Sequence, residues 1–505
     1  MGALGTNLAI GLEAALSLEN LLYCLLGVFI GTFIGVLPGL GAITAIALLL
    51  PITYSLPATS GLILLAGIYY GASYGGSTSS ILTNVPGTPS AAVTCLDGYP
   101  MMRAGRAGVA LFLTAIASFV SGCIVIVLMM LSSPMIVRIG LEFGSAEYFS
   151  MMLLGLIAAA SMTGDSLLKG LSMVVLGLLA GVVGMDMYTG TERFTFSFAS
   201  LYDGISIVAL AMGLFGIAEV ITSARSHDRP RVSRVTLRSM IPTRDDWSRS
   251  WGPALRGTSI GTLVGVLPGV GPTVASFMAY AVERSAAKDP SRFGKGAVEG
   301  VVAPEAANNA AEQASFIPTM TLGIPGSATM ALLLSVLLVQ GIAPGPMLMV
   351  RNPDIFWGLV VSFWIGNIML LVLNVPLIGL WVRMLQIPYH YLYPSILTFI
   401  CIGVLSFRNN SFDIWLTLLI GIASYVLRAM KFPLAPLLLG FVLGPLIEQH
   451  FRRAMILSAG EFVTFVDSPI SAGLLAMSLA FLLWRMFRFA GARRRVDGRL
   501  PDDSG

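Results

Sequence analysis

Residues 31–41 read Gly31-Thr-Phe-Ile-Gly-Val-Leu-Pro-Gly-Leu-Gly41, and the phrase returns 230 residues later as Gly261-Thr-Leu-Val-Gly-Val-Leu-Pro-Gly-Val-Gly271, identical at eight of eleven positions. Weaker echoes follow in the same order. Asn84-Val-Pro-Gly-Thr88 answers to Gly323-Ile-Pro-Gly-Ser327, and Val137-Arg138 to Val382-Arg383. Such ordered self-similarity is the mark of one ancestral unit used twice. It divides the chain into a first repeat over 18–222, a basic linker over 223–256, a second repeat over 257–484 and a basic tail over 485–505.

The solvent of these repeats follows from composition. Of 505 residues, 56% are hydrophobic and 11% charged, and the mean hydropathy is +0.83. An ordinary soluble fold cannot keep that much apolar surface from water. Nearly uncharged runs at 21–36, 111–131, 149–161, 356–380, 414–427 and 472–484 approach the roughly 20 residues a helix needs to cross hydrocarbon. Counting such runs predicts an all-α polytopic membrane protein with roughly ten to fourteen spanning or re-entrant segments. The first sixteen residues lack a basic start and a small-residue cleavage site, so the first apolar run is expected to stay as a helix.

Within this frame the Pro-Gly pairs are anomalies. Pro38-Gly39 and Pro86-Gly87 in the first repeat, and Pro268-Gly269 and Pro325-Gly326 in the second, sit inside apolar stretches. Proline removes a helix hydrogen bond and glycine lets the chain turn, so each pair predicts a broken helix or a hairpin tip. Backbone freed there must be buried in protein or face a wet cavity. Paired breaks in corresponding places of two repeats point to a solute transporter's binding site. Helix N-termini there can face an anion and C-terminal carbonyls a cation, which makes Gly39, Gly41, Gly269 and Gly271 candidates for holding a coupling ion. The second copy is flanked by Arg249, Arg256, Arg284, Lys288, Arg292 and Lys295, whereas the first has Glu13 and Glu19 before it and no Lys or Arg until Arg103. That asymmetry predicts inverted repeats.

Polar residues gather around the second break of each repeat. The first holds Ser77, Thr78, Ser79, Ser80, Asn84, Pro86 and Gly87; the second holds Asn308, Asn309, Pro325, Gly326 and Ser327. Hydroxyls and amides suit a carboxylate that must be held and released, and sodium held by neutral oxygens. Glu305 and Glu312, seven apart, share a helix face. A carboxylate at membrane depth is a functional candidate, so both are read as ion-coupling residues, beside the plainer reading of a structural role at a helix end. Glu299 is placed near a loop. Asp165, Asp186, Asp203, Asp413 and Asp467 read as caps or loop residues, and Arg103 and Arg106 as loop cations fixing topology. His227, His390 and His450 form no metal constellation, and four scattered cysteines form none either. No Walker sequence, nucleophile elbow or zinc-helix motif is present, so an ATP-driven pump or a membrane hydrolase is not expected. Nor is any nucleic-acid partner. Arginines over 225–256 and 485–499 place the linker and tail in the cytoplasm by the positive-inside rule.

Together, the two Pro-Gly phrases, Tyr74-Gly-Gly-Ser-Thr-Ser-Ser80 to Gly87, Asp97-Gly-Tyr-Pro100 with Arg103 and Arg106, and Pro304-Glu-Ala-Ala-Asn-Asn309 to Ser327 resemble the large membrane subunit of tripartite tricarboxylate transporters, over roughly 18–483. The resemblance implies a secondary transporter in the bacterial inner membrane, driven by an ion gradient, sodium or protons. It implies a periplasmic solute-binding protein that delivers a tricarboxylate or related organic acid, and a small four-helix membrane subunit as partner. An elevator-like movement of the hairpin-bearing core is a further expectation. The rivals are a stand-alone ion-coupled carrier, a passive channel and a membrane scaffold. A channel calls for a continuous polar pore segment, and a scaffold has no use for paired breaks.

Overall fold

The computed structural model describes residues 2–37, 41–162, 166–186, 188–223, 235–267, 271–385, 387 and 389–497. In chain order the helices of the first repeat and its leader are α1 (Gly2–Ala15), α2 (Leu18–Val36), α3 (Gly41–Thr53), α4 (Ala58–Thr83), α5 (Cys95–Arg103), α6 (Ala107–Leu141), α7 (Ser145–Met162), α8 (Leu167–Gly181), α9 (Ile207–Ala211) and α10 (Ala218–Ser223). A π-helical turn, Met212–Ile217, joins the last two. The rest are α11 (Arg244–Val266), α12 (Gly271–Ala286), α13 (Glu299–Ala314), α14 (Phe316–Leu322), α15 (Ala328–Val339), α16 (Pro346–Arg351), α17 (Pro353–Asn374), α18 (Ile378–Met384), α19 (Tyr389–Arg408), α20 (Ser411–Ala429), α21 (Ala435–Leu457), α22 (Thr464–Asp467) and α23 (Pro469–Asp497). Among the described residues the only sheet is a two-residue hairpin, Gly184–Met185 against Glu192–Arg193.

Four of these, α2, α6, α17 and α20, are each long and apolar enough to cross a membrane unaided, and seven shorter apolar helices accompany them. The chain is an all-α polytopic membrane protein. Short helices fit a duplicated fold with interrupted spans, because a break must be covered by neighbours and not by lipid.

The chain divides into two compact units. The first takes residues 1–142 and 205–426, and its centre is the same helix pair built twice. On α2, Gly27, Gly31 and Gly35 lie against α4: a Cβ there would stand 2.3, 2.3 and 2.2 Å from the carbonyl oxygens of Leu64, Ile68 and Ala72. On α11, Gly257, Gly261 and Gly265 lie against α13, where a Cβ would stand 2.2, 2.3 and 2.5 Å from the carbonyls of Ala303, Ala307 and Ala311. Glycines four apart let the backbones touch, as small residues do at membrane helix interfaces. Position for position, the second repeat reproduces the first. Residues 244–256, the end of the expected linker, form the start of α11, fixed by a capping box between Thr243 and Asp246.

The second unit takes residues 143–204 and 427–505. Here α8 packs on α21 through Gly177, whose Cβ would meet the Leu437 carbonyl at 2.1 Å. The loop after α8 is pinned to α21 by four charges: Arg452 pairs with Asp186 at 3.0 Å and with Glu448 at 2.7 Å, while Arg193 pairs with Glu448 at 2.9 Å and also with Asp186.

Candidate functional site

The polar helix α13 is the organising element. All of its residues from Gly300 to Ala314 are buried, although that stretch carries two glutamates, two asparagines and a glutamine. Its partners come from the first repeat. Ser77 on α4 donates to Glu305 Oε2 at 2.5 Å, Thr94 donates to Glu305 Oε1, and Ser73 on α4 donates to Glu312 Oε1. Asn309 Nδ2 donates to Ser118 on α6 at 2.6 Å. Tyr74 on α4 donates to Asn367 on α17 at 3.2 Å, and Asn367 in turn donates to the Phe119 carbonyl at 3.0 Å. Thus Ser77, Asn309, Glu305 and Glu312, all expected from the sequence, converge on one polar seam between the repeats. Ser73, Tyr74, Thr94, Ser118 and Asn367 join them.

Ser73 and Glu312 occupy equivalent positions, each thirteen residues ahead of the proline in its repeat's second Pro-Gly pair. Through this hydrogen bond, equivalent positions of the two repeats touch one another.

Several buried polar atoms in this seam meet no protein partner: Asn308 Oδ1 and Nδ2, Glu312 Oε2, Gln313 Oε1 and the Tyr70 hydroxyl. The Tyr69 hydroxyl lies among Ser315, Ser327 and Thr329 without reaching hydrogen-bond geometry to any of them. Beside them Tyr70, Phe316 and Phe363 form an aromatic wall, with ring centroids 4.8–6.0 Å apart. Native interiors pair such groups almost without exception, so a cluster of open ones marks a place for a ligand, ion or water. Among the described residues no Lys, Arg or His forms a salt bridge with Glu305 or Glu312.

The breaks are built to one plan. Asn84 (φ 60°) and Gly323 (φ 73°) end α4 and α14 in the left-handed conformation. Glycine adopts it freely and asparagine tolerates it. Next, Gly87 packs so closely that a Cβ would stand 1.9 Å from the Gly35 carbonyl; at the equivalent Gly326 the gap to Gly265 is 3.5 Å. Ser80 donates to the Ala91 carbonyl at 2.8 Å and its counterpart Thr319 to the Ile324 carbonyl at 3.3 Å. Ser79 donates to the Val85 carbonyl at 2.8 Å and Thr78 to the Tyr74 carbonyl at 3.2 Å. The hydroxyls of Ser79 and Ser80 hold the break together, whereas that of Thr78 bonds back within α4. Asn84 is exposed at the helix end and Pro86 half-buried, while Pro325 is buried with Gly326. Ser327 caps α15 by accepting from the Met330 N–H. Gly41 and Gly271 open α3 and α12 at φ 62° and 69°. Pro38, Gly39, Pro268 and Gly269 lie outside the described residues.

Asp97 is a residue that sequence reasoning passed over. Fully buried, it accepts from the N–H groups of Gly294, Gly296 and Ala297 at 2.8–2.9 Å and from the Tyr280 hydroxyl at 2.9 Å. It ties the first repeat to the loop between α12 and α13. The signal lay in Asp97-Gly-Tyr-Pro100, but nothing in that motif names a partner two hundred residues away. Of the other charged residues, Arg106 pairs with Asp246 at 2.6 Å and Glu299 with Arg292 at 3.2 Å. Asp165 and His227 lie outside the described residues.

A cavity of about 10 Å³ borders the seam, lined by Tyr74, Ser77, Thr78, Thr114 and Ser118 among others; that is room for about one water. A far larger one, about 590 Å³, is lined by the second unit's Gly184, Asp186, Arg193, Tyr202 and Glu448. It lies beside the ion network of Asp186, Arg193, Glu448 and Arg452. The seam, with its open polar atoms, is the better candidate site.

The family described as tripartite tricarboxylate transporter TctA matches the chain over residues 21–439. An uncharacterized 52.8 kDa protein in the TAR-I ttuC' 3' region of Agrobacterium vitis is 49% identical over 475 residues, 94% of this chain and 95% of the relative. A second Agrobacterium vitis protein, from the TAR-II ttuC' 3' region, is 53% identical over 209 residues, 41% of this chain and 86% of its own length. No solved structure matches the chain.

Proposed function

The chain belongs to the tripartite tricarboxylate transporter TctA family, a transporter family and not an enzyme family, and from that membership we propose that it is the permease subunit of a binding-protein-dependent secondary transporter. It imports tricarboxylates or related organic acids across the bacterial inner membrane, with the inward flow of sodium, or of protons, as the driving force. The basic linker and tail face the cytoplasm, and the repeats are inverted. A periplasmic solute-binding protein delivers the acid, and a small four-helix membrane subunit completes the complex. The observation that carries the reading is the seam on α13: two buried carboxylates with no cationic partner among the described residues, beside polar atoms with no protein bond there, where the repeats meet. A scaffold has no reason to bury them. A bare carboxylate in a low-dielectric interior is costly enough that it must be neutralised, which favours coupling to a cation.

In this conformation the adjoining cavity holds about one water. A tricarboxylate cannot enter without movement, in keeping with a carrier that alternates between states and against an open channel. The movement is a displacement of the hairpin-bearing core. The test is uptake of a labelled carboxylate into liposomes holding this chain and its small partner, with and without the binding protein, under imposed sodium or proton gradients. Gradient-driven uptake that needs the binding protein is the expected result. Uptake without that protein makes the chain a stand-alone carrier, and gradient-independent flux makes it a channel.

A further inference from the structure

The two carboxylates of α13 are not equivalent. Glu305 has both oxygens occupied, Oε2 by Ser77 at 2.5 Å and Oε1 by Thr94. Glu312 has Oε1 bonded by Ser73 and Oε2 bonded by nothing. The two residues stand about 10 Å apart along the helix axis, so they do not share one ligand. Beside that open oxygen stands Asn308, one turn away on the same helix and buried with neither its oxygen nor its nitrogen bonded. Tyr69 and Tyr70 of α4 lie within electrostatic reach of the carboxylate.

We infer that Glu312 is the exchangeable cation site of this chain, taking one sodium ion or one proton at its open oxygen, while Glu305 is a positioning residue that docks α13 on α4. The chemistry of the donors supports a monovalent cation. One carboxylate oxygen and the neutral oxygen of Asn308, with tyrosine hydroxyls nearby, are hard ligands carrying a single charge. Among the described residues no group of three or more His, Cys, Asp or Glu gathers that could hold a metal ion, so a divalent ion would find its charge unmet. The titratable groups around Glu312 are Glu305 on its own helix, Tyr69, Tyr70 and Tyr74 on α4, and Cys123 on α6 beside Asn367. None supplies a positive charge, so the neutralising cation comes from solution. When sodium binds the protonated acid, one proton leaves as one ion enters. The assignment deepens the reading of the chain as an ion-coupled carrier and rests on it.

The test uses the purified full chain in detergent and needs no transport. Thermal unfolding is followed while sodium chloride replaces choline chloride at constant ionic strength and mildly alkaline pH, then in choline alone across a pH series. Sodium is expected to raise the midpoint saturably, Glu312→Gln to abolish the rise, and the exposed control Glu461→Gln to keep it. If sodium does nothing but the midpoint climbs as pH falls, and Glu312→Gln flattens the climb, the cation is a proton and the assignment holds. A sodium or pH response unchanged in Glu312→Gln overturns it, and so does the absence of both responses in the wild-type chain. Should Glu312→Gln not fold, Asn308→Ala and Glu312→Asp replace it: an unaltered half-saturation point in both is equally fatal. Dependence of uptake on a binding protein is a separate measurement, so failure of the tripartite reading and failure of this site are distinguishable.

Discussion

Alanine at Gly31 would place a Cβ 2.3 Å from the Ile68 carbonyl oxygen, 2.7 Å from its Cα and 2.8 Å from its carbonyl carbon. All three are backbone atoms, so no side chain can swing aside. Relaxed C···O contacts lie near 3.4 Å, so α2 and α4 must part by roughly 1 Å. Overpacking of this kind costs about 1–3 kcal/mol. Against it stands the helix propensity of alanine over glycine, about 1 kcal/mol in water. In detergent the separated helices stay helical, so that gain shrinks and the clash decides the sign. The expected net loss is about 1–2 kcal/mol, read as a lowered thermal unfolding midpoint in one detergent. Gly261→Ala, whose Cβ would stand 2.3 Å from the Ala307 carbonyl, should lose a similar amount, because the two helix pairs are the same structure. Gly473→Ala is the control: it is helical, exposed and has nothing within 4 Å of the added atom, so its midpoint should hold or rise. If Gly31→Ala and Gly261→Ala unfold at or above the wild-type temperature, the close approach of these helices is refuted.

Other outcomes follow from the same geometry. Gly323→Asn keeps the left-handed cap that Asn84 shows but places a Cβ 3.2 Å from the Pro344 carbonyl oxygen, so it should cost less than Gly323→Val at φ 73°, which should cost about 1–2 kcal/mol or more, both measured by the same unfolding assay. Asp97→Ala strips the acceptor from three backbone N–H groups and a tyrosine hydroxyl; a loss of about 3 kcal/mol or more is expected, with faster amide exchange confined to 294–297. In the second unit, the Tyr188 N–H bond, followed by Arg193 and Arg452, holds the Asp186 carboxyl well below the usual carboxylate range. A depressed folded-state pKa means that stability is present above the unfolded value and lost as pH falls through the folded one. Protection of the 188–204 loop from protease should therefore persist below pH ~4, and Asp186→Asn should expose the loop at neutral pH.

The parts legible in the sequence were those that break a local rule. Proline and glycine inside an apolar run, and glutamate and asparagine at membrane depth, are anomalies that a reader can see without any partner. They located both second breaks and the α13 cluster. Contacts across the repeats obey no local rule: Ser73, Thr94, Ser118 and Asn367 look like ordinary small or polar membrane residues until helix packing sets them against α13. The hydroxyls of Ser79 and Ser80 were legible as polar but not as spent, because the Val85 and Ala91 carbonyls they satisfy come within reach only once α4 stops at Asn84. The division into compact units was equally hidden. Residues 143–204 and 427–505 come from the later parts of the two repeats, and only packing joins them.

The duplication also explains why the site is lopsided. Positions 73 and 312 are equivalent in the two repeats and touch, so an unchanged copy would set glutamate against glutamate there. Two carboxylates so close cannot both ionise; one would be forced to hold a proton. The chain instead carries serine at position 73 and glutamate at 312, which meet as hydroxyl donor and acceptor. Acids and amides of the second repeat are likewise unmatched elsewhere on the seam: Ala66 answers to Glu305 and Tyr69 to Asn308, each pair at equal distance from its proline. The hydroxyls that Glu305 and Glu312 accept from come from the first repeat, through Ser77, Thr94 and Ser73. The glycine contacts that set the backbone are kept in both copies, so the repeats agree where shape is needed and differ where the polar seam is built. If Glu312 is the exchangeable cation site we infer, that difference is required, since a pair of glutamates there would hold a proton shared between two acids in place of an open oxygen.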